Sequence, residues 1–359
     1  MFLQPIIFSA LIAFALTVFC LIYFRKIALK VGLMDEPGGR KTHHASIPLI
    51  GGISMFAGFV FALLTLPISL ANYRSLIAGG FLLIIMGVVD DFRELTPSSR
   101  LLGQVFAALL ATVWGGVYLS SFGNILFVGD LLVGHWGIFI SVLAFVTMIN
   151  ALNMLDGVDG LAGGLAFVMT FYMFVIALLS GDITSIAILA VLLAVIVAFL
   201  LFNFPGPKKK ASVFMGDAGS MFLGFMLAWF SIKLSQVHHP VAEPVTFLWI
   251  LAIPLFDLIC VFIRRIKKRQ SPMKADREHF HHVLLAAGLS GFQVTVVVVM
   301  LSALLGLVGL LFNYFHAPQG VSFIIFLCLF LVYFFTMRHA FKFKKIAKQL
   351  NKKHEEANL

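Results

Sequence analysis

Carboxylates, amides and imidazoles recur in this chain as short polar strings set between long apolar runs. Asp90 and Asp91 arrive together after the apolar stretch Phe81 to Val89. Adjacent helical residues point about 100° apart, so the pair can divide its work, one carboxylate on a metal and the other on a reacting phosphate or its partner. Ending an apolar helix at an interface is the plainer alternative. Asn150, Asn153, Asp156 and Asp159 recur every three residues, which places them on one broad face if the segment is helical. Four polar groups on one stripe are costly in an apolar setting unless they meet ligands, water or each other. The glycines at 157, 160, 163 and 164 permit a helix break and close approach of a bulky ligand. Asn residues joining helices and Gly residues packing them remain the structural alternative.

Asp217 stands in Phe214-M-G-D-A-G-S, just after a bend at Pro205, Gly206 and Pro207, with Lys208 to Lys210 nearby. A carboxylate beside free backbone N–H groups suits a hard cation bound to phosphate oxygens. Farther on, Ser271-P-M-K-A-D-R-E-H-F-H-H carries His279, His281 and His282. Asp276 can cap a short helix there, with Glu278 and His279 in its first turn and Gly288 ending it. No Cys completes a structural zinc set, and transient phosphate contacts or a proton relay fit the three imidazoles better. The basic run Arg264 to Arg269, Arg265 among it, would hold an anionic ligand or lipid headgroups. Asp35-E-P-G-G-R-K-T-H-H, with Lys41 and His43, reads as a substrate-contact loop ahead of Pro48-L-I-G-G. Asp257, two turns before Arg264, is a functional candidate from its apolar setting alone.

Something must carry these strings, and the composition says what. Of 359 residues 61% are hydrophobic and only 12% are charged, outside the range of soluble domains. The mean hydropathy of +1.03 reflects apolar runs recurring from Ile6 to Phe335. A helix crosses a bilayer with about 20 apolar residues, and eleven segments meet that test. They lie near 6–24, 48–70, 76–89, 101–119, 131–149, 161–179, 184–202, 213–232, 245–263, 292–315 and 321–337. The expected fold is therefore all-α, a polytopic membrane bundle. Residues 1–337 form one transmembrane catalytic domain and 338–359 a basic tail. Strands are not expected in lipid, where an open sheet would leave backbone groups unpaired.

The first run has no positive residue before it and Arg25, Lys26 and Lys30 after it, which places the N-terminus outside. Eleven spans then put the C-terminus inside, and 24 of the 26 Lys and Arg residues fall on inner loops or the tail. This asymmetry accounts for the formal charge of +10 without nucleic acid. The three cysteines, all within apolar runs, read as buried thiols. All the acidic and histidine strings then lie at inner ends of spans, and none at mid-membrane. Transporters usually place carboxylates near the bilayer centre, so an inner-face site for metal-assisted phosphoryl chemistry between a soluble donor and a membrane acceptor is favoured over transport or a noncatalytic lipid scaffold.

These strings, in this order, resemble the polyprenyl-phosphate N-acetylhexosamine-1-phosphate transferase family over nearly the whole chain. The resemblance rests on Asp35-x-P-x-x-R-K-x-H with Pro48, Gly51 and Gly52, on Asp90 and Asp91, and on Asn150-A-x-N-M-x-D-G-x-D-G-L. Phe214-M-G-D-A-G-S, Ser271 and Pro272 with Asp276 and Arg277, and His279-x-H-H complete it. It implies transfer of N-acetylglucosamine 1-phosphate from UDP-N-acetylglucosamine to undecaprenyl phosphate, with Mg²⁺ or Mn²⁺. UMP and undecaprenyl-diphospho-N-acetylglucosamine are the implied products, at the first membrane step of enterobacterial common antigen and O-antigen synthesis. It also implies the bacterial inner membrane, a cytoplasmic site, and leaves a homodimer open.

By the same resemblance Asp90 serves the acceptor phosphate or its deprotonation, and Asp91 and Asp217 the metal and diphosphate. Asp156, Asp159 and His279 complete the catalytic set. Lys41, His43, Asn150, Asn153, Asp217, Arg265, His279, His281 and His282 bind substrate. The H-x-H-H string departs from the consecutive triple histidine of the related muramyl-pentapeptide transferases, which favours a simple amino-sugar donor. Whether an Asp forms a covalent intermediate stays open, with direct attack by the lipid phosphate favoured.

Overall fold

A computed structural model describes residues 3–35, 46–206, 210–236, 241–269 and 279–357, and side chains as far as 340. Thirteen α-helices dominate these residues. Helix α1 (Leu3–Val31) is followed by the only strand pair among them, β1 (Met34–Asp35) antiparallel to β2 (Ile47–Pro48). This two-residue pairing lies in a polar loop, where sheet edges carry none of the penalty they would meet in lipid. Next come α2 (Gly51–Leu63), α3 (Arg74–Arg93) and α4 (Pro97–Leu109), the last running into a π-helical turn at Leu110–Trp114. Then follow α5 (Gly137–Leu155), α6 (Leu161–Ser180), α7 (Ile183–Asn203) and α8 (Gly216–Ser235). The chain closes with α9 (Pro244–Ile250), α10 (Ala252–Lys267), α11 (Phe280–Ala286), α12 (Gly291–Tyr314) and α13 (Gln319–Ala357).

Among the described residues eight helices are long and apolar enough to cross a membrane, or nine if the bent pair α9–α10 counts as one span. Those axes differ by 79°. Pro254 explains the break, because it has no N–H to give to the Ile250 carbonyl and its ring would clash there. The other two predicted spans correspond to α2, only 13 residues long, and to α4 with its π turn. Helices α4, α7 and α12 start with side-chain caps. Thr96 accepts from Ser99 N–H ahead of Pro97, Asp182 accepts from Ser185 N–H, and Ser290 with Gln293 forms a reciprocal capping box.

Helix α8 is the axis of the bundle. Of its most apolar window, 94% is buried inside the protein, and its hydropathy of 1.3 is the lowest of the eight candidates. It can be the least apolar because α2, α3, α5 and α6 surround it, so it meets protein where the others meet lipid. Small residues let the neighbours come close. A Cβ on Gly87 of α3 would overlap the backbone of Ala218, so α3 and α8 touch one residue from Asp217. On the other side, Gly51 and Gly52 donate their N–H groups to the carbonyls of Phe214 and Met215, each at 3.0 Å. That contact satisfies donors left free at the start of α2 and fixes where α8 begins.

Candidate active site

The C-terminal end of α3 and the N-terminal end of α8 meet at Asp91. Its Oδ1 accepts from the backbone N–H of Asp217 at 2.9 Å, so a carboxyl oxygen meets the first turn of α8, the end at which the helix dipole is positive. Gly216 makes this fit possible. Its φ is +71°, and a Cβ there would stand 2.5 Å from Asp91 Oδ2. The Asp217 side chain is aligned from α5: Asn153 Nδ2 donates to its Oδ1 at 2.6 Å and to Ser220 Oγ at 2.8 Å.

Asp90 is only 2% exposed. Its Oδ1 accepts from Leu95 N–H at 2.7 Å, and its Oδ2 pairs with Arg100 Nε. Arg100 Nη2 also stands 3.7 Å from Asp217 Oδ2. The guanidinium therefore bridges two carboxylates, one on α3 and one on α8. The sequence reading counted Arg100 only as an inner-loop charge. A signal was present, because Thr96-Pro97 marks a helix start and a cation in a first turn opposes the helix dipole, which calls for a nearby anion. Gln104, one turn on, was also missed; it accepts from Asn150 Nδ2 at 2.6 Å.

The Asn150 to Asp159 string does not stay on one helical face. Helix α5 stops at Leu155, Asp156 is its cap residue, and the chain turns through Gly160 at φ +74°. Gly160 takes that left-handed conformation without strain, having no Cβ. Asn150 and Asn153, both still on α5, serve different partners. Asp159 faces away from both, its Oδ2 accepting from Ala211 N–H at 3.1 Å and its carbonyl from Thr295 Oγ1 at 2.7 Å. Burial first, then the charges of Asp217 and Asp159, push the Asp156 carboxyl up to about 7.

The turn at Asp156 joins the carboxylates to the imidazoles. A Cβ on Gly157 would lie 2.8 Å from His281 Nε2. His281 is 1% exposed and its ring nitrogens have no hydrogen-bond partner among the described residues. Burial, then the neighbouring His282 and His279, pushes its pKa down to about 3, so the ring is neutral at physiological pH. His279 and His281 lie parallel with centroids 5.7 Å apart, and His282 is 4.1 Å from His281. Helix α11 starts at Phe280, three residues later than a cap at Asp276 would put it: His279 is extended and takes the cap position. Gly288 does follow its end, at φ +95°. His279 Nδ1 is 2.7 Å from Asp257 Oδ2, a partner the sequence reading did not foresee. Arg265 is buried on α10. Lys41, His43, Ser271, Pro272, Asp276 and Arg277 lie outside the described residues.

No cluster of three or more His, Cys, Asp or Glu able to hold a metal occurs among the described residues. Two carboxylates meet a smaller requirement. Mg²⁺ commonly takes one or two protein carboxylates and completes its shell with substrate phosphate and water. Asp91 Oδ2 is buried with no hydrogen-bond partner among the described residues, beside Asp217, so this hard-oxygen pair fits such an ion.

A helical bundle that gathers carboxylates, a guanidinium and imidazoles at one end is an integral membrane enzyme. Residues 73–235 match the family model for glycosyl transferase family 4. The chain is 36% identical over 343 residues to the undecaprenyl-phosphate alpha-N-acetylglucosaminyl 1-phosphate transferase of Escherichia coli O157:H7, covering 95% of this chain and 93% of the relative. The proteins of that description from Yersinia pestis and Haemophilus influenzae are 34% and 33% identical, each over 93% of this chain and over 92% and 94% of their own lengths. The chain belongs to the polyprenyl-phosphate N-acetylhexosamine-1-phosphate transferase family, and is a multi-pass membrane transferase.

Proposed function

We propose that this enzyme transfers N-acetylglucosamine 1-phosphate from UDP-N-acetylglucosamine to undecaprenyl phosphate, releasing UMP and undecaprenyl-diphospho-N-acetylglucosamine. The observation that carries the reading is the meeting of Asp91 with Asp217 at the start of α8, bridged to Asp90 by Arg100. The printed names of the relatives support the choice of sugar and lipid. The product would enter enterobacterial common antigen and O-antigen synthesis.

A bound Mg²⁺ or Mn²⁺ would polarise the diphosphate oxygens and offset the charge of two anionic substrates. Asp91 and Asp217 would hold that ion, Asn153 fixing the orientation of Asp217. Arg100, a third exposed, is placed to meet a phosphate oxygen while offsetting the local carboxylate charge. Asp90 faces Leu95 N–H and Arg100, so we assign it to setting Arg100 beside the acceptor phosphate. Asp156 and Asp159 shape the turn between the two clusters, and His279, His281 and His282 contact donor phosphate or sugar. Asn150 supports this wall through Gln104. The lipid phosphate attacks directly, since its oxygen is already anionic.

We also read eleven spans, counting α2, α4 with its π turn, and α9–α10 as one crossing each. The N-terminus is then periplasmic, and the C-terminus and site cytoplasmic. The basic residues of inner loops and tail support that orientation. A homodimer fits this reading as well as a monomer.

The decisive experiment gives purified protein UDP-N-acetylglucosamine and undecaprenyl phosphate, with Mg²⁺, with Mn²⁺, or with EDTA. Metal-dependent appearance of UMP together with the sugar-bearing lipid is expected. Absence of both products in active lipid, with every metal, would reject the reaction. UDP-N-acetylgalactosamine offered in parallel tests the sugar.

A further inference from the structure

Asp257 lies 1% exposed on α10, where an unpaired carboxylate would carry a heavy desolvation cost. Its oxygens meet three partners. Oδ2 is 2.7 Å from His279 Nδ1, while Oδ1 accepts from Phe280 N–H at 2.8 Å and from Tyr333 Oη at 3.1 Å. The carboxylate thus joins α10 to the start of α11 and to α13, the last helix. An ionised carboxylate only accepts hydrogen bonds, so its contact with Nδ1 requires the proton to be on that nitrogen. Nε2 is then the ring atom left for a ligand, and in the neutral imidazole it keeps its lone pair.

We propose that Asp257 is the positioning residue of the histidine cluster: it holds His279 in the Nδ1-protonated tautomer and leaves Nε2 as an acceptor for a substrate hydroxyl or a phosphate-borne proton. The inference rests on His279 belonging to the transferase site, but the tautomer is a property of the protein alone. If Nε2 takes up a proton, the same carboxylate stabilises the imidazolium without itself being protonated.

The division of labour between the two oxygens supplies a clean variant. In Asp257→Asn, the carbonyl oxygen can stay with its two donors, Phe280 N–H and Tyr333 Oη. The amide nitrogen then takes the place of Oδ2 and donates to Nδ1, which moves the imidazole proton to Nε2. Most of the packing survives while the tautomer inverts.

The test uses the full chain in nanodiscs with ¹⁵N-histidine, the His279 signals being assigned by their loss in His279→Gln. At alkaline pH the unsubstituted protein is expected to show a protonated Nδ1, and Asp257→Asn a protonated Nε2. Turnover of Asp257→Asn should fall at least about 50-fold, mostly in kcat, in line with other wrong-tautomer losses. Asp257→Glu should keep the Nδ1 proton and recover part of the rate. Tyr333→Phe removes a donor without touching the imidazole, and should keep the tautomer with a loss under about threefold. A protonated Nε2 in the unsubstituted protein would overturn the proposal. So would an unchanged tautomer or full turnover in Asp257→Asn. Should the unsubstituted enzyme make no UMP, the functional reading fails, yet the nitrogen shifts still decide the role of Asp257.

Discussion

Asp91 and Asp217, 126 positions apart in sequence, are joined by a 2.9 Å hydrogen bond from the Asp217 backbone to the Asp91 carboxylate. One residue of the pair ends a helix and the other begins one. Their meeting turns two separate acidic strings into one site.

Replacing either carboxylate by its amide separates charge from shape. In Asp91→Asn the side-chain oxygen can still accept from Asp217 N–H, so the fold should hold while one anionic ligand is lost. Turnover should drop about 100-fold or more, and Asp217→Asn should behave likewise. UMP release per folded enzyme, with folding checked by thermal melting in detergent, measures it. Near-normal turnover would remove that residue from the essential site.

Arg100→Ala should hurt both stability and rate. Asp90 would keep its Leu95 contact but lose its cation. Losing the partner of a buried charge costs about 3–5 kcal/mol when both groups are fully enclosed. Because a third of the Arg100 side chain is exposed, water reaches the pair and about 1–2 kcal/mol is the expected loss. Arg100→Lys should restore stability better than rate, since the ammonium lacks the planar fork that reaches two carboxylates. Equal melting temperatures for all three proteins would refute the pairing.

A change that removes no chemical group should still silence the site if it parts α3 from α8. The Cβ of Gly87→Ala would collide with Ala218 backbone, which cannot rotate away as a side chain can. The expected cost is about 1–3 kcal/mol, with a loss of turnover as Asp91 is drawn from Asp217. Gly291→Ala is the control, because its Cβ would meet Val158 at an ordinary 3.6 Å. Comparable turnover in the two variants would argue against tight spacing.

The buried imidazole predicts an acid limb in stability. His281 has its folded pKa lowered from 6.5 to about 3, so the fold favours the neutral ring. The contribution is complete above the unfolded pKa and is lost as pH falls from about 6.5 towards 3. Thermal midpoints measured across that window should decline less steeply for His281→Phe than for the unsubstituted protein. Parallel slopes would show that His281 does not drive the decline.

Sequence made the bundle legible because hydropathy is local. An apolar run long enough to cross lipid has to be helical there, and each of the eleven predicted runs has a helical counterpart. Ends were harder. The expected span 48–70 holds a helix of only 13 residues, and the α5 helix reaches Leu155 rather than stopping near 149. Gly157, Gly160, Gly163 and Gly164 permit a break, and the chain does turn through Gly160 once α5 ends at Leu155. The common face is lost beyond Leu155, because a three-residue spacing describes a face only while the helix continues.

By itself, the sequence determined that the chain is a membrane helical bundle, and which carboxylates, amides and imidazoles form its polar strings. Only the tertiary structure decided their partners. Asp90 with Arg100, Asn153 with Asp217 and Asp257 with His279 each depend on how closely two helices pack and how each is rotated. Those quantities are set by side chains filling the space between helices, such as Ala218 against Gly87. No residue's own neighbours in sequence carry that information.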